Sequence, residues 1–386
     1  MDQTRAVTEF VAARMDAAVA LLERLVAIES PSQDPATHGP AFSLLETELE
    51  RAGFAVRYLG GRSPSRHLLA HPAARRKGRP LQLLLGHIDT VWPVGTLRDM
   101  PLHRDADQIA GPGAYDMKAG LVQALLALEA AYAVAGEPDV TPVMLVNSDE
   151  EIGSHGSRRY IETLARHSCR AFVMEPSLGV DGRLKTARKG VGRYRITIRG
   201  KAAHAGLDPE GGVSAILELS HQIQKLFRLN DPEAGITVNV GVVDGGLQPN
   251  VIAPHSSAQV DVRVPTHAAA EKVDAAIRGL EPTTPGVTLE VDGRIGRPPM
   301  EPDEASRQLW LRAAEAAQRL GFPLEQGAAG GGSDGNFTSQ FTPTLDGLGA
   351  VGDGAHAHHE HVLLDHMPRR AALLALLLLA PPPSTH

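Results

Sequence analysis

The sequence predicts an α/β protein: a mainly parallel sheet with helices on both faces, interrupted by an inserted domain of the ferredoxin-like βαββαβ type. Three observations carry this reading. Short apolar runs at 81–86, 142–147 and 171–175 alternate with helical stretches at 117–135 and 155–166, and unbroken apolar runs of that length mark strands buried on both faces. Near Gly190 the texture changes to period two, as in Gly192-Arg193-Tyr194-Arg195-Ile196-Thr197-Ile198-Arg199, the pattern of a half-exposed strand. The first texture resumes near 303, which makes the middle segment an insertion.

The elements follow in order. Val7, Phe10, Val11, Met15, Ala18, Leu22, Leu25 and Val26 have helical spacing over 6–29, and Ser30-Pro31-Ser32 ends that helix. The alternation of strands and helices from 81 to 175 then builds a parallel sheet. In the insert, strand 192–199 precedes a helix at 211–228, strands at 236–243 and 256–264, a helix at 267–280 and a strand at 287–292. That is the split βαββαβ order. A helix at 304–320, a strand at 343–347 and a closing helix from Pro368, a residue suited to a first helical turn, return to the larger domain. The expected boundaries are 1–188 with 299–386 for the larger domain and 189–298 for the insert.

Composition narrows the function classes. A chain of 386 residues exceeds what one core usually supports, and 42% apolar with 22% charged residues is ordinary for a soluble protein. A net charge of −7 argues against a general nucleic-acid binder, and 4% aromatic content against a platform for stacking bases. The single Cys169 excludes an intrachain disulfide and reads as a buried, inert thiol. Met1-Asp2-Gln3-Thr4-Arg5 lacks a basic-then-apolar export pattern, and the Leu-rich stretch at 371–380 is too short to span a bilayer. The expectation is a cytoplasmic protein without a membrane partner.

Three of the apolar runs lead straight into chemistry: His87-Ile88-Asp89, Asp149-Glu150-Glu151 and Glu175-Pro176. Ligand sites gather at the carboxyl ends of such strands. Asp116, within Gly113-Ala114-Tyr115-Asp116-Met117-Lys118, and a histidine cluster at 356–361 add to the set. Imidazole plus carboxylate without thiol is the donor chemistry of a hydrolytic zinc site. His87 and Asp89 project to the same side of an extended segment, so Asp89 can hold the second ring nitrogen of His87. Asp116 precedes a long helix and can cap it, ligate, or do both. The acidic triplet crowds like charges that a cation would relieve, and neighbouring glutamates can divide ligation from proton transfer. Spacing does not choose among His356, His358, His359 and His361.

Eight basic residues, Arg183, Lys185, Arg188, Lys189, Arg193, Arg195, Arg199 and Lys201, occur without an acidic one between them. They read as an exposed strand face or as a positive field that captures an anionic substrate. Gly330-Gly331-Gly332-Ser333-Asp334 lacks the lysine and the strand–loop–helix frame of a phosphate loop, and reads as a flexible loop near the rim.

Gly86-His87-Ile88-Asp89-Thr90-Val91-Trp92-Pro93, Tyr115-Asp116-Met117-Lys118-Ala119-Gly120, Ser148-Asp149-Glu150-Glu151-Ile152-Gly153-Ser154 and Glu175-Pro176 together resemble the bacterial di-zinc exopeptidases and deacylases. That family includes glutamate carboxypeptidase, succinyl-diaminopimelate desuccinylase and acetylornithine deacetylase. The resemblance covers nearly the whole chain, and the first motif is most similar to the folate-hydrolysing carboxypeptidase branch. It implies a zinc-exopeptidase catalytic domain, an inserted dimerisation domain and two zinc ions per subunit; the ligand chemistry also accepts cobalt or manganese. By motif, His87 and Glu175 would bind one ion, Glu151 and His356 the other, with Asp116 bridging. His356 is favoured because Glu360 and Val362 fit the family's frame after the ligand.

Glu150 would be the general base, and Asp89 would orient His87. His204, in Lys201-Ala202-Ala203-His204-Ala205-Gly206, would reach the partner subunit's site of a homodimer and stabilise the oxyanion. Asn250 and Arg263 match substrate-binding positions, with Arg183 and Arg297 as further candidates to grip a carboxylate. The family's cysteine-ligand branch does not fit, because Cys169 lies outside every motif. The implied activity is hydrolysis of an amide beside a free carboxylate, releasing a C-terminal glutamate or similar amino acid from a small N-acyl or peptidyl substrate. The alternatives are an N-acyl-amino-acid deacylase and a non-catalytic binding protein on the same fold. The presence of Glu150 speaks against the last.

Overall fold

Residues 3–60 and 66–382 are described by the computed structural model. They form two units, one of Met1–Thr186, Pro302–Ala328 and Ser333–His386, the other of Ala187–Glu301 with Ala329–Gly332. The glycine tract therefore belongs to the inserted unit up to Gly332 and leaves it at Ser333.

In the first unit a six-stranded sheet runs in the order Phe54–Gly60, Arg66–Pro72, Thr141–Asn147, Leu81–His87, Ser168–Val173, Thr344–Leu345. The last four are mutually parallel, and the first two are antiparallel additions at one edge. Leu84 packs on one face of this sheet, while Leu83 and Leu85 pack on the other with Ile161 and Phe337. Both faces are covered, which is why the central strands carry no polar alternation. Gln3–Val26, Ala119–Ala135 and Met367–Leu379 pack together over the first face. The segment Ala114–Ala135 is long and apolar enough to cross a membrane, yet 78% of its apolar stretch is buried inside the protein, as in the core helix of a folded domain. Arg170 fastens the end of Met367–Leu379 to the sheet, donating to Gln82 Oε1 (2.9 Å), Ala380 O (2.7 Å) and Pro381 O (3.0 Å).

Several sequence expectations shift here. The helix Gly39–Arg51 and the hairpin Phe54–Gly60/Arg66–Pro72 escape the reading, because Arg57, Arg66, His67 and His71 break the strand pattern. The helix expected at 155–166 begins at Arg158. The Asp149 carboxylate accepts the N–H groups of Gly156 (2.6 Å) and Ser157 (3.2 Å) just ahead of it, so one member of the acidic triplet turns inward to satisfy a helix start. The strand expected at 343–347 shrinks to Thr344–Leu345.

A smaller antiparallel sheet in the same unit orders Gly352–Asp353, His361–Leu363, Gln108–Ala110 and His103–Arg104. It holds the loop bearing His356 between its first two strands. The turn bearing Asp116 follows its third.

The second unit is an antiparallel sheet ordered Thr237–Gly245, His255–Val264, Gly190–Arg199, Thr288–Arg297, with helices Ala215–Phe227 and His267–Arg278. This is the ferredoxin-like arrangement. Ser214 and Thr266 cap the two helices through their hydroxyls. Tyr194, Ile196 and Ile198 face a core shared with Val260 and Val262. Arg193 and Arg195 project to the other face, where Arg193 lies opposite Asp261 and Arg195 opposite Asp292. Acids thus stand opposite this part of the basic run, while Arg193 also registers with Arg294.

Candidate metal centre

The centre assembles from five segments of the first unit. His87 ends its parallel strand and is buried. Glu150 and Glu151 follow Thr141–Asn147, and Glu175 follows Ser168–Val173, so three carboxylates and an imidazole share one rim of the sheet. The small sheet adds Asp116 and His356. His87 Nε2 lies 3.3 Å from Asp116 Oδ1 and 3.6 Å from Glu175 Oε1. His356 Nε2 lies 3.6 Å from Asp116 Oδ2 and 3.1 Å from Glu151. Asp116 thus turns one oxygen to each histidine. His87, Glu150 and Glu175 offer donor atoms within 4.8 Å of one another, as do His87, Asp116 and Glu151.

Of the four clustered histidines, only His356 enters. Its backbone is left-handed (φ 60°), a conformation that costs a non-glycine residue about 1–3 kcal/mol and that concentrates at functional sites. His358 lies with its ring 5.4 Å from that of Trp92, His359 is exposed 4.0 Å from Asp353, and His361 Nδ1 bonds the His359 carbonyl (2.8 Å).

Asp116 does not cap a helix. Its backbone (φ −114°, ψ 93°) is extended within a turn, and the helix expected from 117 starts at Ala119 without a side-chain cap. Lys118 fastens the turn by donating from Nζ to Ile28 O (2.8 Å), and burial pushes its amine down to about 8. The second residue of that helix is Gly120, where a Cβ would run into the carbonyl oxygen of Met174, beside Glu175.

Asp89 holds more than the histidine ring. His87 Nδ1 is closest to the Asp89 backbone carbonyl (2.9 Å) and only 3.5 Å from its carboxylate. That carboxylate accepts the Ser32 hydroxyl (2.7 Å) and the N–H groups of Glu151 (3.2 Å) and Glu150 (3.3 Å). The chain carrying both glutamates is therefore docked onto Asp89. Ser32, part of a segment read as a helix stop, is a contributor that the sequence did not disclose. Asp334 is another: it is buried and accepts from Asn147 Nδ2 (2.6 Å) and from the Ser154 hydroxyl. The end of the glycine tract is thus an anchor for the 147–154 loop rather than a free loop.

The electrostatics follow from crowding. Burial pushes Glu151 up to about 7, with the Asp116 charge adding to it and the His356 hydrogen bond opposing it. The Glu151 hydrogen bond lifts His356 to about 9 against its own burial. Burial pulls the His87 ring down, but Asp116, Asp89 and Glu175 together outweigh it and hold the ring well above its ordinary value. The crowded carboxylates and the histidines thus hold each other's charge, with Lys185 also acting on Asp116. His87 Nε2 and Asp116 Oδ1 are also buried without a hydrogen-bond partner, a costly state for polar atoms. Nitrogen and carboxylate donors, two of them orphaned and facing each other, fit divalent cations of the zinc type.

The remaining sequence candidates lie elsewhere. Arg183 is half-buried in the first unit. His204, Asn250, Arg263 and Arg297 belong to the second. His204 Nδ1 accepts the N–H groups of Gly206 (3.2 Å) and Leu207 (3.1 Å), which leaves Nε2 to carry the proton. Asn250 adjoins it, its carbonyl accepting from Ala205 N (2.9 Å). Arg263 and Arg297 both register with Val191, at the opposite end of Gly190–Arg199 from the His204 loop. At ~3.3 Å per residue the two ends of that strand are about 30 Å apart. Arg263 is engaged by Asp261 (2.8 and 3.1 Å), and Arg297 is buried.

A parallel sheet whose strand ends present this donor set defines a metal-dependent hydrolase. The chain belongs to the Peptidase family M20/M25/M40, which residues 83–380 match, and it is a hydrolytic enzyme of that family. It is 31% identical to carboxypeptidase G2 of Pseudomonas sp. (strain RS-16) over 377 residues, 94% of this chain and 89% of the relative. It is 26% identical to succinyl-diaminopimelate desuccinylase of Delftia acidovorans over 372 residues, 91% and 94% of the two chains. Its fold is shared with an M20 family metallo-carboxypeptidase from Sulfolobus solfataricus (TM-score 0.73, 16% identity, covering 94% of this chain and 98% of the other). It is also shared with a dinuclear metal-binding peptidase from Bacillus subtilis (TM-score 0.67, 18% identity, covering 95% and 99%).

Proposed function

We propose that this enzyme hydrolyses an amide bond next to a free carboxylate, as a glutamate carboxypeptidase does, with two metal ions, zinc by preference. The observation that carries the proposal is Asp116 facing His87 with one oxygen and His356 with the other. His87 and Glu175 would hold one ion and Glu151 and His356 the other, with Asp116 within reach of both. Ions bound there would supply Lewis acidity toward the scissile carbonyl and the attacking water. Glu150, its backbone docked on Asp89, takes the proton of the attacking water and returns it to the leaving nitrogen. The carboxylate of the substrate is recognised by arginine, for which a guanidinium fork is well shaped; Arg263, Arg297 and Arg183 are the candidates. The 31% identity to carboxypeptidase G2 supports the carboxypeptidase form over the deacylase form. The 26% identity to a desuccinylase keeps deacylation as the rival. Turnover of N-acyl-glutamates should exceed that of N-acetyl-amino-acids lacking a glutamate side chain by at least roughly tenfold, about 1.4 kcal/mol of discrimination. The reverse order would assign the enzyme to the deacylases.

The same reading makes the enzyme a homodimer with composite sites. His204 and Asn250 lie about 30 Å of strand away from Arg263 and Arg297 within one chain, too far to meet on one small substrate. Two copies can supply one group each. The edge strand Thr237–Gly245 exposes Val242 and Val243 (53% and 58%), an apolar edge suited to pairing with a second copy. His204, donating from Nε2, then stabilises the oxyanion in the neighbour's site. Mixing inactive Glu150→Gln chains with inactive His204→Ala chains should restore partial activity, since a heterodimer has one site free of both changes. A mixture that exchanges subunits yet stays as inactive as its parents rules out action across the interface.

A further inference from the structure

We infer that Glu360 is a positioning residue that clamps the Asp116 turn onto the His356 loop and thereby sets the spacing of the two metal positions. Glu360 is buried, 1% exposed, and its carboxylate collects four donors. Oε1 accepts the N–H groups of Tyr115 and Asp116, each at 3.0 Å. Oε2 accepts Gly113 N–H (3.0 Å) and the Trp92 indole N–H (2.9 Å). A carboxylate has about four acceptor sites, so all of them are spent and Glu360 is not itself a ligand. Its main chain ties in as well, with N–H donating to Ala357 O (3.0 Å) and the carbonyl accepting from Gly111 N–H (3.2 Å).

Asp116 needs this clamp because its backbone is extended rather than helical (φ −114°, ψ 93°) and its N–H is held by Glu360. Two oxygens of one side chain face two histidines on different segments only while that backbone is held. The loop that supplies His356 is fitted to the clamp from its other side, since a Cβ on Gly354 would press 2.8 Å from Glu360 N and Cα. Removing Glu360 orphans three backbone N–H groups at the ligand itself. The inference rests on the ligand assignment proposed above.

The test uses metal-stripped full-length protein, titrated with zinc against a chromophoric chelator and, separately, with cobalt while recording its ligand-field absorption. Wild type should take two ions. Glu360→Gln, the same shape with acceptors for only half the donors, should bind them roughly 10- to 100-fold more weakly, the range for loss of an outer partner of a ligand. Its cobalt spectrum should also change. Glu360→Gln with wild-type affinity and an unchanged cobalt spectrum overturns the inference. A wild type that takes no ion overturns the ligand assignment, and the clamp with it. If the variant does not fold, amide exchange in metal-free wild type decides. Gly113, Tyr115 and Asp116 should be strongly protected, and free exchange of these three overturns the clamp.

Discussion

Glu150→Gln is expected to retain both metal ions and to lose turnover by roughly 10²- to 10⁴-fold, the usual worth of a positioned general base. The substitution preserves shape, and the backbone N–H of this residue docks on the Asp89 carboxylate (3.3 Å). Its carboxylate sits with His87 and Glu175 in a buried cluster. The amide can keep that packing but cannot accept a proton. Metal content by elemental analysis beside kcat on the same preparation separates the two effects. Near-normal turnover with both ions bound would remove Glu150 from the mechanism.

His356→Ala should abolish activity and cost about one metal ion per chain, because His356 Nε2 lies against both Glu151 (3.1 Å) and the second oxygen of Asp116 (3.6 Å). The same change at His358, His359 or His361 should leave metal content and kcat within roughly threefold of wild type. Those rings are directed at Trp92, Asp353 and the His359 carbonyl respectively, and surface substitutions away from special features are mild. Loss of the second ion in His358→Ala or His361→Ala instead would show that the register chosen here is wrong.

The class of fold was legible because burial on both faces leaves a mark: Leu83 to Leu85 and Val143 to Val146 are unbroken apolar runs, and period two reappears at Gly190–Arg199 where one face is exposed. The edge hairpin Phe54–Gly60/Arg66–Pro72 left no such mark, since half-exposed edges mix charge into the pattern. For the candidate site, residues that follow strands directly could be placed on one rim by topology alone. Asp116 and His356 could not, because a separate small sheet delivers them. Their supports were least visible of all. Ser32 meets Asp89 across 57 residues, and Glu360 meets Tyr115 across 245. A serine beside a proline, or a glutamate in a histidine-rich loop, carries no local signal of a partner so distant.

The interruption of one unit by the other also orders events on the ribosome. The buried core of the inserted unit is drawn from residues between Tyr194 and Val287, with Ile295 as the last partly buried residue packed against it. Synthesis completes that set early, and domains generally fold as units while the chain emerges. The core of the flanking unit joins Val7 and Leu22 to Leu373 and Leu378. Its first helix must wait for nearly the whole chain to be made before its closing partner exists. A nascent chain therefore carries a finished insert behind the first part of an unfinished host, with the sides of Gln3–Val26 and Ala119–Ala135 that pack against Met367–Leu379 still uncovered, a state that exposes apolar surface to chaperones.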